Sequence, residues 1–573
     1  MYVEEDSLGA ITREATIAAG LFFVLGLALQ AWRSHVLLAS YDQGIFQQVL
    51  WNSLHGHLFE STLSSQLSTN VIHAGEAPAL GYARLGQHFT PALLLWVPLI
   101  GLFGGAALPL VQVGLITAAG LVLHKLARTC LNPRTANWIT YGFFCGNALI
   151  GPTLGNFTDL CLLPISVMAL MLGLLQRRFW LTLSAALLIP LIREDTGILL
   201  IAIGLWLLAR QRQRWLVALM LMAYGGGWMI LVTNQLMPLF SDDNSKRFMV
   251  ENFGQYLGAQ GAERASSISV MRQALSQPLT LLRELVSPPG QTLLYLLGHS
   301  LPFLFVPLIS LDTWLLAGPS LLGLFLAQGS NDPLSINIRY TLLVVPGFSL
   351  GTLFWWSRRP QLIPGRRARL TWGAALTLSL LLMLSSNPNR SLSFLVPDSV
   401  IPWVHSSPAA QLRHGIAARK ALAVIPADAS VSATTHLVPL LAQREVLVRY
   451  PESTNYFERS RKLQPIDWLA IDLNMIERYG VAFPGDWQTL RRIREQLPHQ
   501  LASYRVQAIT DGVVALERGG DFHHELQSEL QRWLELPMPP DPRKRKSLKT
   551  MPPPKNRPRA LAGSALELKL LIS

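Results

Sequence analysis

Four short clusters of acids, arginines and a histidine stand at the edges of apolar runs, where a side chain can meet both lipid and water. The stretch Tyr41-Asp42-Gln43-Gly44-Ile45-Phe46-Gln47-Gln48-Val49-Leu50-Trp51-Asn52 sets an acid directly beyond the first of those runs. A carboxylate there can take the proton of an attacking hydroxyl or orient a divalent cation. It can equally cap the helix that follows, a role Asp fills well. Phe46, Leu50 and Trp51 recur at helical spacing, which predicts a helix lying at the membrane interface. Gly86-Gln87-His88-Phe89-Thr90-Pro91 offers an imidazole for a phosphate or a metal, or a merely hydrated interfacial residue. His55, His57 and His73 share the preceding loop, but with no fixed ligand spacing, so the metal signal is weak.

Leu191-Ile192-Arg193-Glu194-Asp195-Thr196 wedges three charges between two apolar runs, where charge is costly unless paired or wet. Arg193 with Glu194 or Asp195 reads either as a structural ion pair or as a diphosphate-binding arginine assisted by one of the acids. Asn337-Ile338-Arg339-Tyr340 brings an arginine suited to bidentate phosphate contact or to interfacial anchoring, with Tyr340 in the aromatic belt. Asn156-Phe157-Thr158-Asp159 adds another acid; it also matches a glycan-acceptor motif, a poor reading here. The sequence has no phosphate-binding glycine loop, no dinucleotide fingerprint and no H-E-x-x-H, so no nucleotide or redox cofactor is expected. Gly225-Gly226-Gly227 falls inside an apolar span and reads as close helix packing or a kink. Cys130, Cys145 and Cys161 show neither metal spacing nor a disulfide framework.

The elements that must position these clusters follow from composition. Of 573 residues, 50% are hydrophobic and 14% charged, against about 25% charged in soluble domains. Residues 1–386 hold 40 of the 83 charged residues and the remaining third of the chain holds the other 43. That division excludes a single soluble domain, a disordered chain and a β-barrel, whose strands alternate instead of running apolar. Apolar runs near 15–38, 89–124, 136–152, 160–176, 179–192, 196–209, 215–236, 293–309, 311–327, 340–356 and 370–386 predict a helical membrane bundle. Basic clusters at Lys125/Arg128/Arg134, Arg177/Arg178, Arg210/Arg212/Arg214 and Arg358–Arg369 belong on the cytoplasmic side. This holds if 89–124 makes one net crossing, its first part half-inserted around Pro91, Pro98 and Gly104-Gly105.

The expected architecture is a mainly α polytopic bundle of about eleven crossings, then a small soluble α/β domain and a disordered tail. Its parts are a cytoplasmic N-terminus (1–14), a multi-span domain (15–386) with an external loop at 39–88, an extracytoplasmic α/β domain (387–535) and a basic Pro-rich tail (536–573). The net charge of +13 lies in short loops and the tail, which argues for topology and against nucleic acid as a partner.

The pattern Asp42-x-Gly44-x-Phe46-x-Gln48-x-x-Trp51-Asn52, with Gln87-His88-Phe89-Thr90-Pro91, Arg193-Glu194-Asp195 and Arg339-Tyr340, resembles a family of polytopic bacterial membrane proteins, domain of unknown function 2079. The likeness continues through Ile425-Pro426-Ala427-Asp428-Ala429-Ser430-Val431-Ser432-Ala433 and Ala442-Gln443-Arg444, and so spans residues 40–520. Where the family reads Phe-His-Pro, this chain has Phe157-Thr158-Asp159, and no role of that histidine carries over. The family is similar in turn to the GT-C glycosyltransferases, multi-span enzymes that take sugars from polyprenyl-phosphate carriers. The resemblance implies direct displacement at the anomeric carbon, with Asp42 as general base and Arg339 or Arg193 stabilising the departing phosphate. His88, Gln87, Glu194, Asp195 and Tyr340 would complete the substrate and phosphate set. It further implies a lipid-linked sugar donor, a glycan, lipid or protein acceptor, and a multi-pass place in the bacterial cytoplasmic membrane.

Two other readings stay open on the residues alone. One is a transporter or flippase for a lipid-linked or small polar substrate, although no paired halves with interrupted helices are visible. The other is a non-catalytic envelope scaffold whose external domain binds polysaccharide or a partner.

Overall fold

The computed structural model describes residues 10–72, 76–243, 249–253, 256, 266–327 and 334–544. Residues 1–9, His73, parts of the loops at 237–292 and 328–339, and 545–573 of the expected tail lie outside the described residues.

The first half is helical: α1 (Arg13–His35), α2 (Tyr41–Leu54), α3 (Thr62–Ile72), α4 (Val97–Phe103), α5 (Ala107–Cys130), α6 (Pro133–Phe144), α7 (Asn147–Thr153) and α8 (Leu163–Leu175). Next come α9 (Phe179–Ile192), α10 (Ile198–Arg210), α11 (Trp215–Leu231), α12 (Met249–Phe253), α13 (Ser267–Ser276), α14 (Pro278–Glu284) and α15 (Pro289–Ser300). The bundle closes with α16 (Val306–Ile309), α17 (Leu311–Leu326), α18 (Val345–Ser357) and α19 (Arg366–Ser386). Capping follows the sequence: the Thr12 side chain accepts from Ala15 N at the start of α1, and Asn132 does the same for Thr135 N before Pro133 opens α6.

Among the described residues, four stretches are long and apolar enough to cross a membrane: 13–35, 91–130, 212–239 and 366–386. The other apolar helices α8, α9, α10, α17 and α18 have 13–16 residues, about 20–24 Å of helix against a hydrocarbon core of about 30 Å. Within 91–130, α4 has only seven residues and ends at Gly104, whose φ of +56° breaks the chain before the 24-residue α5. A segment as short as α4 covers about 10 Å and cannot cross.

The remainder carries α20 (Pro408–Leu422), α21 (Val438–Leu441), α22 (Leu473–Gly480), α23 (Pro484–Gln500) and α24 (His524–Glu535). A hairpin of β1 (Ser399–Val400) and β2 (Trp403–Val404) precedes them. The sheet proper orders β4 (Leu447–Arg449), β3 (Val431–Ala433), β7 (Trp468–Asp472), β9 (Val513–Arg518) and β8 (Tyr504–Thr510). β3 runs parallel to both β4 and β7, with Ser432 opposite Val448 and Leu469, while β9 is antiparallel to β7 and β8. A short ribbon, β5 (Asn455–Phe457) with β6 (Leu463–Pro465), stands apart.

The sheet and the first loop share one core. Leu37, Ile45, Val49 and Leu63 pack in the same buried cluster as Val431, Val438, Leu447 and Ala470. The edge strand β4 finds side chains of α3 where another strand would otherwise pair. Thr62 Oγ1 donates to Leu447 O (2.7 Å) and accepts from Leu447 N (3.0 Å). One turn on, Gln66 Nε2 donates to Arg449 O (2.9 Å) and its Oε1 accepts from Arg449 N (2.5 Å).

Two expectations are corrected here. α2 is not an exposed amphipathic helix: Gln43, Gln47, Gln48 and Asn52 are buried along with Ile45, Phe46 and Leu50, because Phe157, Gly105, the 444–445 loop and Glu60 meet its polar residues. Gly44 lies so close to α21 that an added Cβ would sit 2.3 Å from a Val438 methyl. The tail does not begin as a disordered segment at 536, since Trp487 Nε1 donates to Pro539 O (2.8 Å) and Met538 packs on the sheet's outer core.

Candidate functional site

Asp42 occupies the first turn of α2, while Ser40 is the residue at the N-cap position. The acid is 43% exposed and accepts from Arg339 Nη1 at 2.9 Å. Arg339 opens a 3-10 turn, Arg339–Leu343. Its guanidinium lies 5.5 Å from the centre of the Tyr340 ring, and the Arg193 guanidinium lies at the same distance. Tyr340 is thus the hinge between the two arginines.

Arg193, Glu194 and Asp195 form the turn between α9 and α10. Arg193 donates Nε to Asp195 Oδ1 (2.7 Å) and Nη2 to Asp195 Oδ2 (2.6 Å), a bidentate pair. Burial works against the Arg193 charge, yet the Asp195 carboxylate outweighs it and raises the arginine's pKa. Glu194 turns elsewhere: its Oε1 lies 2.8 Å from His88 Nδ1 and its Oε2 accepts from Phe89 N at 2.9 Å. Burial first, then the neighbouring Asp195 charge, pushes Glu194 up to about 7. Burial also holds His88 well below the usual imidazole range, helped by the charges of Arg84 and Arg193. A neutral imidazole and a carboxyl that titrates near neutrality therefore share one hydrogen bond.

Two further residues join this cluster. Arg84, in the 3-10 turn Arg84–Gly86, is 5% exposed and sits 4.7 Å from the Phe46 ring centre. Its guanidinium donates no hydrogen bond to any described residue, and Nε is fully enclosed. Burial, and next to it the Arg339 charge, lowers its pKa against the pull of Asp159, Asp42 and Glu194. Asp159 is likewise 5% exposed; its Oδ1 accepts from Thr158 Oγ1 and Leu160 N, both at 3.0 Å, while Oδ2 is buried without a partner among the described residues. Its charge acts on Arg84, His88, Arg193 and Arg339.

Of the residues expected from sequence, Asp42, His88, Arg193, Glu194, Asp195, Arg339 and Tyr340 come together. Gln87 does not join them: its Nε2 donates to Ser64 O at 2.6 Å and ties the loop to α3. His55 packs on Trp51, and His57 bonds Arg459 beside Glu60 at the surface. Among the described residues no three of His, Cys, Asp and Glu converge as metal ligands. Arg84 was legible only as a lone cation in the first loop, and Asp159 only as one more external acid.

Beside the charged cluster opens a cavity of about 510 Å³. Glu194, Asp195 and Tyr340 line one part of it, and Ile198, Ile201, Met229, Ile230, Leu322 and Leu326 contribute to an otherwise apolar wall. Its wall is mainly apolar, with a few polar groups gathered at one part, the usual make-up of a small-molecule site.

The profile of a family described as predicted membrane protein, DUF2079, matches residues 33–515. No curated protein sequence matches the chain. The fold is similar to the crystal structure of ArnT from Cupriavidus metallidurans bound to undecaprenyl phosphate, at 13% identity, covering 87% of this chain and 97% of that one, with a TM-score of 0.48.

Proposed function

The chain belongs to the DUF2079 family of predicted membrane proteins, and on that premise we propose that it moves a sugar from a polyprenyl-phosphate carrier to an acceptor at the extracytoplasmic face of a bacterial cytoplasmic membrane. One observation carries the reading: a half-exposed carboxylate, Asp42, pairs with Arg339, whose neighbour Tyr340 lines an apolar cavity together with Glu194 and Asp195. The polar part suits a sugar phosphate and the cavity suits an isoprenoid tail.

In the proposed step the acceptor hydroxyl loses its proton to Asp42 as its oxygen attacks the anomeric carbon. The bond from that carbon to the phosphate oxygen breaks, and the phosphate leaves with the electron pair. Arg339 orients Asp42 by donating Nη1 to its carboxylate at 2.9 Å. Arg339 spends only Nη1 on Asp42 and keeps its other N–H groups for the departing phosphate, and Arg84, which donates to no described residue, adds a second guanidinium. Asp159 and the His88–Glu194 pair provide acceptors for sugar hydroxyls beside it.

The test is glycan profiling of a deletion strain, covering lipid-linked and surface glycans, with complementation by wild type or Asp42→Asn. A carrier-linked sugar should accumulate and one glycan should lose a residue, and only the wild-type gene should restore it. If both genes restore the strain, or no glycan changes, the proposal is wrong and a transporter or scaffold takes its place.

A further inference from the structure

The module after α19 carries an apolar surface that no described residue covers. At the tip of the β1–β2 hairpin, Val400, Ile401 and Trp403 are 66%, 76% and 65% exposed. Along α20, Leu412 and Ile416 are exposed one turn apart, with Arg413 and Lys420 exposed on the same helix, and Val424 is exposed just past its end. From 399 to 427 there is no acidic residue, while Arg413, Arg419 and Lys420 are all basic.

The position of α20 is fixed by the end of a membrane helix. Arg419 donates Nη1 to His35 O (2.9 Å) and Nη2 to Ser34 O (3.1 Å), capping the last carbonyls of α1. An added Cβ on Gly415 would stand 2.1 Å from His35 O, so the two helices touch backbone to backbone. Trp32, in the last turns of α1, meets Phe394 at 5.5 Å between ring centres, and Leu395 beside it is 59% exposed. α1 itself exposes Ile17, Leu21, Val24 and Leu25, the face a spanning helix turns to lipid. The apolar surface therefore starts at the level where α1 leaves the membrane.

We propose that the β1–β2 hairpin and the exposed stripe of α20 form a membrane-docking surface that sits in the headgroup region of the adjoining leaflet and engages anionic phospholipid. Ile401 and Trp403 enter the boundary between headgroups and acyl chains, Leu412 and Ile416 lie along it, and Arg413 and Lys420 meet the phosphates. The occupant is lipid because the surface continues the lipid-facing side of a membrane span and because its charge complements an anionic headgroup layer. This docking holds the sheet module, and through β4 and α3 the helix that bears Asp42, at a fixed height over the bilayer.

The experiment places a single fluorophore on the full chain in nanodiscs. In a Cys130→Ala background, which leaves the half-buried Cys145 and the buried Cys161, cysteine replaces Ile401 or Ile416. Val24→Cys on α1 serves as the lipid-facing control and Leu463→Cys, 51% exposed on β6, as the water-facing control. Quenching by lipid carrying a shallow spin label should be at least about twofold stronger at 401 and 416 than at 463. Arg413→Glu with Lys420→Glu should reduce it in discs containing phosphatidylglycerol and not in purely zwitterionic discs. Each variant enters only if it runs monodisperse, and two separate label sites guard against a local folding defect. Quenching at 401 and 416 equal to that at 463 overturns the proposal. So does energy transfer between labels that rises with the number of copies per disc, which would make a second copy of the chain the occupant. Quenching unaffected by the charge reversal would overturn the engagement of anionic lipid.

Discussion

Arg339 and Asp42 stand 297 positions apart in the chain and meet at 2.9 Å. The pair ties the first turn of α2 to the 3-10 turn that leads into α18, two segments with no local reason to meet. Asp42 is thereby aimed into the cluster that also holds Arg84, Arg193 and Tyr340. The pair is about one third to two fifths exposed, so its role lies in orientation and charge more than in stability.

Asp42→Asn keeps the shape and removes the base. Sugar transfer in a reconstituted assay should fall about 10²- to 10⁴-fold, with the thermal midpoint close to wild type. Arg339→Lys should retain more activity than Arg339→Ala, because a single ammonium can still meet one carboxylate oxygen. Activity that survives Asp42→Asn would remove it from the chemistry.

Arg84→Met separates binding from folding. A buried guanidinium without a hydrogen bond to any described residue costs desolvation energy, so an apolar residue of similar length should leave stability unchanged or raise it. Binding of polyprenyl phosphate to the purified protein should nevertheless weaken at least about tenfold. A loss of stability with unchanged lipid binding would make Arg84 a structural residue.

Asp312 makes the opposite case. It is 1% exposed at the start of α17 and accepts from Trp206 Nε1 (2.7 Å), Arg210 Nε (3.1 Å) and Arg358 Nη2 (2.8 Å), joining α10, α17 and the end of α18. Asp312→Ala leaves two arginines facing each other and should destabilise the bundle by about 3–5 kcal/mol. Thermal unfolding in detergent would register this as a lower midpoint.

His414 gives the sheet module a pH dependence. Its Nδ1 lies 2.8 Å from Asp511 and its Nε2 3.0 Å from the buried Asp472, so α20 is bound to the end of β7 and to the β8–β9 turn. Burial disfavours the imidazolium, but the hydrogen bond and charge of Asp472, with Asp511, raise its pKa overall. A histidine whose pKa rises on folding contributes its full stability below the unfolded value of about 6.5. The contribution is lost as pH climbs through the higher folded value. The unfolding midpoint should therefore fall between about pH 6.5 and the alkaline side, and His414→Gln should flatten that slope. Equal slopes in the two proteins would show that other groups set it.

The sequence by itself determined the apolar runs, the membrane character and most of the charged cluster. Hydropathy acts along the chain, and a charge flanked by apolar runs has few places to go except the end of a helix, which is why Asp42, His88, Arg193 and Arg339 were identifiable. The short apolar runs at 430–433, 446–448, 468–471 and 512–516 fall on β3, β4, β7 and β9, in the part read as a small α/β domain. The tertiary structure decided what could not be read locally. An amphipathic pattern tells which side of α2 is apolar and is silent on what covers the other side; part of the cover is α21 and the loop leading into β4, almost 400 residues later. Gln48 illustrates this, being fully buried because its amide bonds Thr62 Oγ1 (3.0 Å), Arg444 O (3.2 Å) and Glu445 O (3.2 Å). The same holds for the arginines. All three are the same residue type near a membrane edge, and only the folded geometry pairs Arg193 with Asp195 and Arg339 with Asp42 while leaving Arg84 without a hydrogen bond among the described residues. Pairing depends on distances between segments far apart in sequence, and those distances exist only once the helices have packed.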